Sequence, residues 1–392
     1  MQLILTLLQS SLLLALSAVV GYQGLIVLLA AFRRQTARPR HAPQKTRFAV
    51  LVPAHDEELL IERTVKSLLA ADYPARLREV VVIADNCTDA TAEVARRSGA
   101  TVLERADTAR RGKGHALHWA LNQLGAYDAY AVIDADSVVS ANFFSALDTM
   151  LLQGAAAVQV LHGTAGVEQS WLGELIRLSD SLQFHVYNRS RQVLGLSVRL
   201  YGNGMCLSRA LVERFGWNAF SITENWEYYL HLLSHGITVR YSDEAAVWSQ
   251  QVARLGDAKT QRMRWMVGKR RLVASTVPRL ALLGLREGRL GILDGLADFL
   301  LPSYSMQGIM LASAALLSPV TRINLAWLAV LATAFILYCA TALRYVSVVG
   351  LLRALPKVPV YLLWKIWIKL ASMFRCRAMG WIRTRRRGEP RA

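Results

Sequence analysis

The sequence predicts an α/β domain built on a mostly parallel sheet and joined to helices that cross, or lie in, a membrane. Three observations carry this. From Arg47 to about Ser249, short apolar runs alternate with segments whose apolar residues recur at helical spacing, the pattern of βαβ units. Met1 to Phe32 is almost wholly apolar and uncharged, longer than the roughly 20 residues that span a bilayer as a helix. The 392-residue chain is 53% hydrophobic and only 19% charged, more apolar than an ordinary soluble protein.

The net charge of +18 would suit nucleic acid, a membrane surface or phosphorylated ligands. The basic residues concentrate beside the apolar segments, so membrane lipids are the expected partner and nucleic acid is not. The four cysteines, Cys87, Cys206, Cys339 and Cys376, form no Cys-x-x-Cys pair; neither a zinc site nor a disulfide framework is signalled.

Taken in order, residues 1–32 are expected to form a retained membrane helix. The start lacks the basic residues of a signal peptide, and the basic cluster follows the apolar run. Arg33, Arg34, Arg38, Arg40, Lys45 and Arg47 make 33–46 a basic linker that stays cytoplasmic. An α/β domain over 47–265 follows. Met266 to Leu285 mixes Lys269, Arg270, Arg271 and Arg279 with apolar residues, so 266–292 is expected to lie in the interface. Within 293–374, Phe299 to Val320 and Ile323 to Leu343 are long enough to span. Tyr345 to Phe374 interleaves Tyr361, Trp364 and Trp367 with Arg353, Lys357, Lys365 and Lys369 and suits an interfacial helix. A third crossing is the alternative. The arginine-rich tail 375–392 should be cytoplasmic. The expected location is the inner (plasma) membrane, multi-pass, with the α/β domain in the cytoplasm.

Inside the α/β domain, Phe48 to Pro53, Val80 to Ala84, Thr101 to Leu103 and Tyr130 to Asp134 read as strands. Glu57 to Leu69, Thr91 to Arg97 and Gly114 to Leu124 read as helices, with Thr88 or Asp89 available as a cap. In such sheets ligands bind beyond the C-terminal strand ends. Three acidic loops meet there: Pro53-Ala-His-Asp-Glu-Glu58, Asp85-Asn-Cys-Thr-Asp89 and Asp134-Ala-Asp136. A solvated rim explains any one of them; a divalent cation or sugar hydroxyls would explain all three. Lys113, between two glycines, can meet a diphosphate, although Gly-Lys-Gly is not a P-loop. Gly202-Asn-Gly204 offers close backbone approach. Glu224 and Glu227 share a helix face. Arg264 can grip a phosphate, and Trp265 can stack on a sugar or anchor at the interface.

The ordered series resembles the membrane-integrated family 2 glycosyltransferases, the group of cellulose, chitin and hyaluronan synthases and many exopolysaccharide enzymes. Val52-Pro53-Ala-His-Asp-Glu57 is similar to that family's first strand and nucleotide-binding loop, and Asp85 to its second aspartate. Lys113 corresponds to its Gly-Lys lysine, Asp134-Ala-Asp136 to its Asp-x-Asp, and Gln261, Arg264 and Trp265 to Gln-x-x-Arg-Trp. The resemblance implies a GT-A nucleotide-sugar domain. Asp56 or Glu57, with Asp85, would bind the nucleoside, Arg264 would meet the diphosphate and Trp265 would line the acceptor end; Pro53, Lys113, Gly204 and Gln261 complete the expected substrate-binding residues. Asp136 would hold Mg²⁺ or Mn²⁺, helped by Asp134, which also positions the sugar.

Implied partners are a nucleotide-diphosphate sugar donor, a saccharide or lipid-linked acceptor, and other polysaccharide-assembly proteins. The implied reaction is inverting transfer of the sugar in cell-surface polysaccharide or glycolipid synthesis. One departure is clear. The family's Thr-Glu-Asp, whose aspartate is the general base, reads Thr223-Glu224-Asn225 here, and an amide cannot take the acceptor's proton. Glu224 or Glu227 is therefore expected to act as the base. A non-catalytic membrane scaffold of a polysaccharide assembly complex is the competing expectation.

Overall fold

The structure is a computed structural model and describes residues 2–33, 44–165, 170–250, 255–317 and 321–374. Most of the basic linker and the tail 375–392 lie outside the described residues. The chain divides into two compact units.

The larger unit, 35–166 with 195–299, holds one eight-stranded sheet. Its strands are β1 (Phe48–Ala54), β2 (Arg78–Asp85), β3 (Thr101–Arg105), β4 (Ala129–Val132), β5 (Ser137–Val139), β6 (Ala157–Ala165), β7 (Met205–Ser208) and β8 (Val239–Gln250), in the order β3-β2-β1-β4-β7-β6-β8-β5. From β3 to β4 every pairing is parallel. β7 then runs antiparallel to both β4 and β6, β8 is parallel to β6, and β5 closes the edge antiparallel to β8.

β1 and β2 are unbroken Val/Ile/Leu/Ala runs because helices cover both faces of a parallel sheet. One face packs Phe48, Val50 and Val52 against Ile61, Val65, Leu68, Phe143, Phe144 and Leu147, all buried. Each such large side chain contributes about 1.5–3 kcal/mol by leaving water. Phe48, Tyr73 and Phe144 meet with ring centroids 5.4–5.7 Å apart.

The expected elements are present with shifted ends. The first helix begins at Ile61 rather than Glu57. The amides of Glu57 and Glu58 are taken by Thr91 Oγ1 and Asp89 Oδ2, so that stretch ties two loops together instead of starting a helix. The expected boundary at 265/266 falls inside a continuous helix, Leu255–Ser275, followed by Val277–Arg286.

The smaller unit gathers the N-terminal residues, 167–194 and 300–371. Two of its helical stretches, Leu3–Phe32 and Arg322–Tyr345, are long and apolar enough to cross a membrane. They meet through Leu13, Leu16 and Leu331, with Ala314. Polar groups are satisfied side to side: Gln9 donates to Ala314 O (2.9 Å), Asn324 to Gln9 Oε1 (2.9 Å) and Trp327 to Ser17 Oγ (2.8 Å). Such bonds suit helix pairing in an apolar medium.

Two features differ from expectation. The apolar run expected as one helix over 299–320 is broken: Leu290–Leu300 ends, Leu301-Pro302-Ser303 intervenes, and Tyr304–Leu316 begins. Proline removes a helix donor and clashes with the preceding turn. The second difference is the segment Trp171–Leu194. It leaves the sheet between β6 and β7 and belongs to the unit of apolar helices. It falls within the expected 47–265 domain, but Arg191 is fully buried, donating to Tyr22 Oη (2.7 Å) and Tyr187 Oη (3.3 Å).

Candidate active site

The C-terminal ends of the parallel strands bring the three acidic loops to one edge of the sheet. Asp56 and Asn86 both take left-handed backbone (φ 53° each) where the chain turns off β1 and β2. The two loops are laced together. Asp56 Oδ1 accepts from Thr88 N (2.7 Å), and His55 Nδ1 bonds Asp85 O (2.6 Å). Asp85 is not a bare carboxylate: Arg105 forms a buried ion pair with its Oδ1 at 2.6 Å and reaches Asp107 Oδ2 at 2.9 Å. Sequence reasoning missed Arg105, which sits in a strand flank without motif. Pro53 is half-buried at the end of β1, and Glu57 is buried.

Asp56, Cys87 and Asp89 place ligand atoms within 4.8 Å of one another, a spacing that could hold an ion. Burial pushes the Cys87 thiol up to about 11, so it is protonated at neutral pH. Asp56 and Asp89 oxygens already receive loop amides. A hard cation prefers oxygen donors, which favours the Asp134-Ala-Asp136 turn.

That turn leaves β4 just past the sheet. Asp134 is ion-paired to Lys113, the first residue of the helix Lys113–Leu121, and Lys113 Nζ also donates to Gly202 O (2.6 Å). Burial opposes the Lys113 charge, but Asp134, Glu224 and Asp136 outweigh it and raise its pKa. The next position has to be glycine because a Cβ at Gly114 would stand 2.2 Å from Ala219 O. Asp136 is half-buried, and Ser137 donates to its Oδ1 at 3.0 Å. His162 on β6 feels both Asp134 and Lys113. Its pKa is lowered by burial, with Lys113 adding and Asp134 opposing. No motif marked it.

The helix Glu224–Ser234 presents the third part. Its residues have different tasks. Glu227 Oε2 accepts from Phe220 N (3.0 Å) and Ser221 N (2.8 Å), so its carboxylate braces the preceding loop. Of the two expected bases, Glu227 is thus the one already engaged by backbone amides. Asn225 Nδ2 donates to Leu200 O (2.7 Å), a bond a carboxylate could not make. Glu224 is half-buried and lies in the charge field of Lys113, Arg264 and Asp134. Burial raises its pKa, the charges of Lys113 and Arg264 lower it, and Asp134 raises it.

Arg264 arrives there because the helix Leu255–Ser275 packs closely on this region. A Cβ on Gly268 would lie 2.4 Å from Thr223 Cγ2, and Arg264 is one turn earlier on the same face. Gln261 is half-buried on that helix, and Trp265, 45% exposed, turns outward.

Gly204 has a packing role. It was expected to let a substrate pass close to the backbone. It stands immediately before β7 at φ 69°, its N bonded to Val132 O (3.0 Å), and a Cβ would meet Val160 and Val247 at 2.6 Å. Gly204→Ala is expected to cost roughly 2–5 kcal/mol from left-handed strain and overpacking. A drop in the thermal unfolding midpoint of the detergent-solubilised protein checks this.

Asp134, Lys113, Glu224 and Arg264, with Asp136 beside them, thus form one charge cluster, with the Asp56/Asp85 loops at the same sheet edge. Residues 43–268 match the model of the family described as glycosyltransferase like family 2. Among curated relatives, a β-monoglucosyldiacylglycerol synthase of Nostoc sp. (strain PCC 7120) is 32% identical over 56% of this chain and 48% of its own. A probable glycosyltransferase YdaM of Bacillus subtilis (strain 168) is 24% identical over 57% of this chain and 56% of its own. The chain spans about half the length of these curated relatives. Among solved structures, the mannosyltransferase PcManGT of Pyrobaculum calidifontis, in complex with GDP-Man and Mn²⁺, covers 91% of this chain and 99% of its own. Its identity is 20% and its TM-score 0.55, a likeness of fold. With more than half of its length matched by the family model, the chain belongs to the family 2 glycosyltransferases and carries their GT-A fold.

Proposed function

We propose that this chain is a membrane-bound, inverting glycosyltransferase that moves a sugar from a nucleoside-diphosphate donor to a lipid-linked or saccharide acceptor. Its product would enter glycolipid or surface-polysaccharide synthesis, with the sheet unit on the cytoplasmic side. The observation that carries the reading is Glu224. It is a half-buried carboxylate in the charge field of Lys113, Asp134 and Arg264, and desolvation raises its pKa. A carboxylate set among these groups, with its pKa raised, suits a general base for the acceptor hydroxyl.

Glu224 would take the acceptor hydroxyl's proton as that oxygen attacks the anomeric carbon from the face opposite the leaving group. Lys113 and Arg264 would meet negative charge on the diphosphate. Lys113 also holds Asp134 where it can fix the sugar. The Asp134-Ala-Asp136 turn fits a hard divalent cation. Its donors are oxygens at a strand end, and Ser137 already fixes the Asp136 carboxylate. Asp136, with Asp134 beside it, would hold Mg²⁺ or Mn²⁺; when bound, the cation supplies positive charge to the leaving diphosphate. The basic flank of the first helix supports the cytoplasmic placement. A lipid acceptor is supported by the apolar helices and by the glycolipid synthases among the relatives.

The scaffold reading drew on Asn225. That residue has a structural task in the site, which weakens the inference that it marks a decayed motif.

Membranes containing the protein, offered a panel of radiolabelled nucleotide sugars, should transfer label from one of them to acceptor. Extraction into organic solvent and product size then separate a glycolipid from a polymer. Asp136→Asn should abolish the transfer. No label from any donor, or transfer unaffected by Asp136→Asn, would overturn the proposal.

A further inference from the structure

We propose that Asn203 and Ser137 form a polar relay that sets the Asp136 carboxylate for its cation, and that the amide polarity of Asn203 makes the relay work. This rests on the cation reading above. Both residues are buried, Asn203 at 2% exposure and Ser137 at 0%. The backbone N–H of Asp134 donates to Asn203 Oδ1 at 3.1 Å. A backbone amide can only donate, so the side-chain oxygen faces it and Nδ2 faces the other way. Nδ2 donates to Ser137 Oγ at 2.9 Å. The hydroxyl, accepting there, directs its one hydrogen to Asp136 Oδ1 at 3.0 Å. The direction of every bond is therefore fixed, starting from a group that cannot reverse.

The relay is anchored from outside the turn. Gln159 Nε2 donates to Asn203 O (2.8 Å), and Gln159 Oε1 accepts from Tyr201 N (2.9 Å). Lys113 holds Gly202 O, and Asn225 holds Leu200 O. The loop from Leu200 to Asn203 thus couples both ends of the site. Its tip orients Asp136 while its base is held by the residue next to Glu224. Asn203 and Ser137 are positioning residues, since neither needs to touch substrate.

Groups that orient a ligating carboxylate are typically worth about 10- to 100-fold in metal affinity. The test is Mn²⁺ binding to the full-length protein in detergent. The free aquo-ion EPR signal is followed with Mn²⁺ alone and with UDP or GDP added. Ser137→Ala is expected to weaken Mn²⁺ binding by about tenfold or more, and Ser137→Thr, which keeps the hydroxyl, to restore it. Unfolding midpoints of both should stay near that of the parent protein.

Asn203→Asp tests polarity. Its carboxylate would draw the Ser137 hydrogen away from Asp136 and weaken binding, although added negative charge alone would strengthen it. Parent-like Mn²⁺ affinity in Ser137→Ala, with Asp136→Asn impaired, would sink the relay and leave the cation site standing. Tighter binding in Asn203→Asp would refute the polarity claim. Parent-like affinity in Asp136→Asn would sink the cation site and the relay together.

Discussion

Glu224→Gln should lower the transfer rate by about 10²- to 10⁴-fold, the usual contribution of a positioned base, while Glu227→Gln keeps most of it. The contrast follows from what the two carboxylates touch. Glu227 serves as an acceptor for two loop amides, a task a glutamine oxygen can also perform. As the proposed base, Glu224 would have to exchange a proton, which a glutamine cannot do.

The pH dependence carries a sign. The folded-state pKa of Glu224 is raised, chiefly by burial, and the base works ionised. Activity should therefore rise with pH along a limb whose midpoint lies above the ordinary glutamate value of about 4.3. For stability, a raised folded pKa means that the protonated form is favoured by folding. That contribution is complete below the unfolded pKa and disappears as pH rises through the folded one. At neutral pH, Glu224→Gln should thus be no less stable than the parent protein, a common mark of a residue kept for function. Rate–pH profiles and unfolding midpoints of the parent, Glu224→Gln and Glu227→Gln check each part. Parent-level transfer in Glu224→Gln would remove it as the base.

The parallel half of the sheet was legible because β1, β2 and β4 are local apolar runs and a helix follows each of β1, β2 and β3. The half beyond β4 was not. β7 is four residues long and pairs antiparallel with strands far away in sequence, and β5 has only three residues. No local period announces such pairings.

The site shows the same division. Asp134, Lys113, Glu224 and Arg264 lie in short motifs and converge in one charge cluster. Arg105, His162 and Gln159 act through partners 20 to 87 positions away and Ser137 through a bond to its neighbour Asp136, and no spacing marks them. Gly204 was noticed for the right property, its small size, but the atoms crowding it are Val160 and Val247. Asn225 looked like a defect while only its lost acidity was visible. The bond to Leu200 O gives the amide a use.

Lys113→Met should reduce transfer by at least about 100-fold, as expected when one charged donor is removed from a preorganised site, and should also shift the pH profile. The ammonium holds Asp134 and Gly202 O together, so its loss releases the Asp134 carboxylate and the loop that carries Asn203. It also lowers the Glu224 pKa by its charge. Without it, Glu224 faces Asp134 with less compensation, its pKa climbs further, and the ascending limb moves to higher pH. Part of the loss seen at neutral pH should then return in alkaline buffer, whereas Glu224→Gln gains nothing there. Lys113→Arg keeps the charge but not the compact ammonium that serves two acceptors, so it should restore the pH limb better than the maximal rate. A pH profile for Lys113→Met that overlays the parent curve, merely scaled down, would show that Lys113 and Glu224 are not coupled.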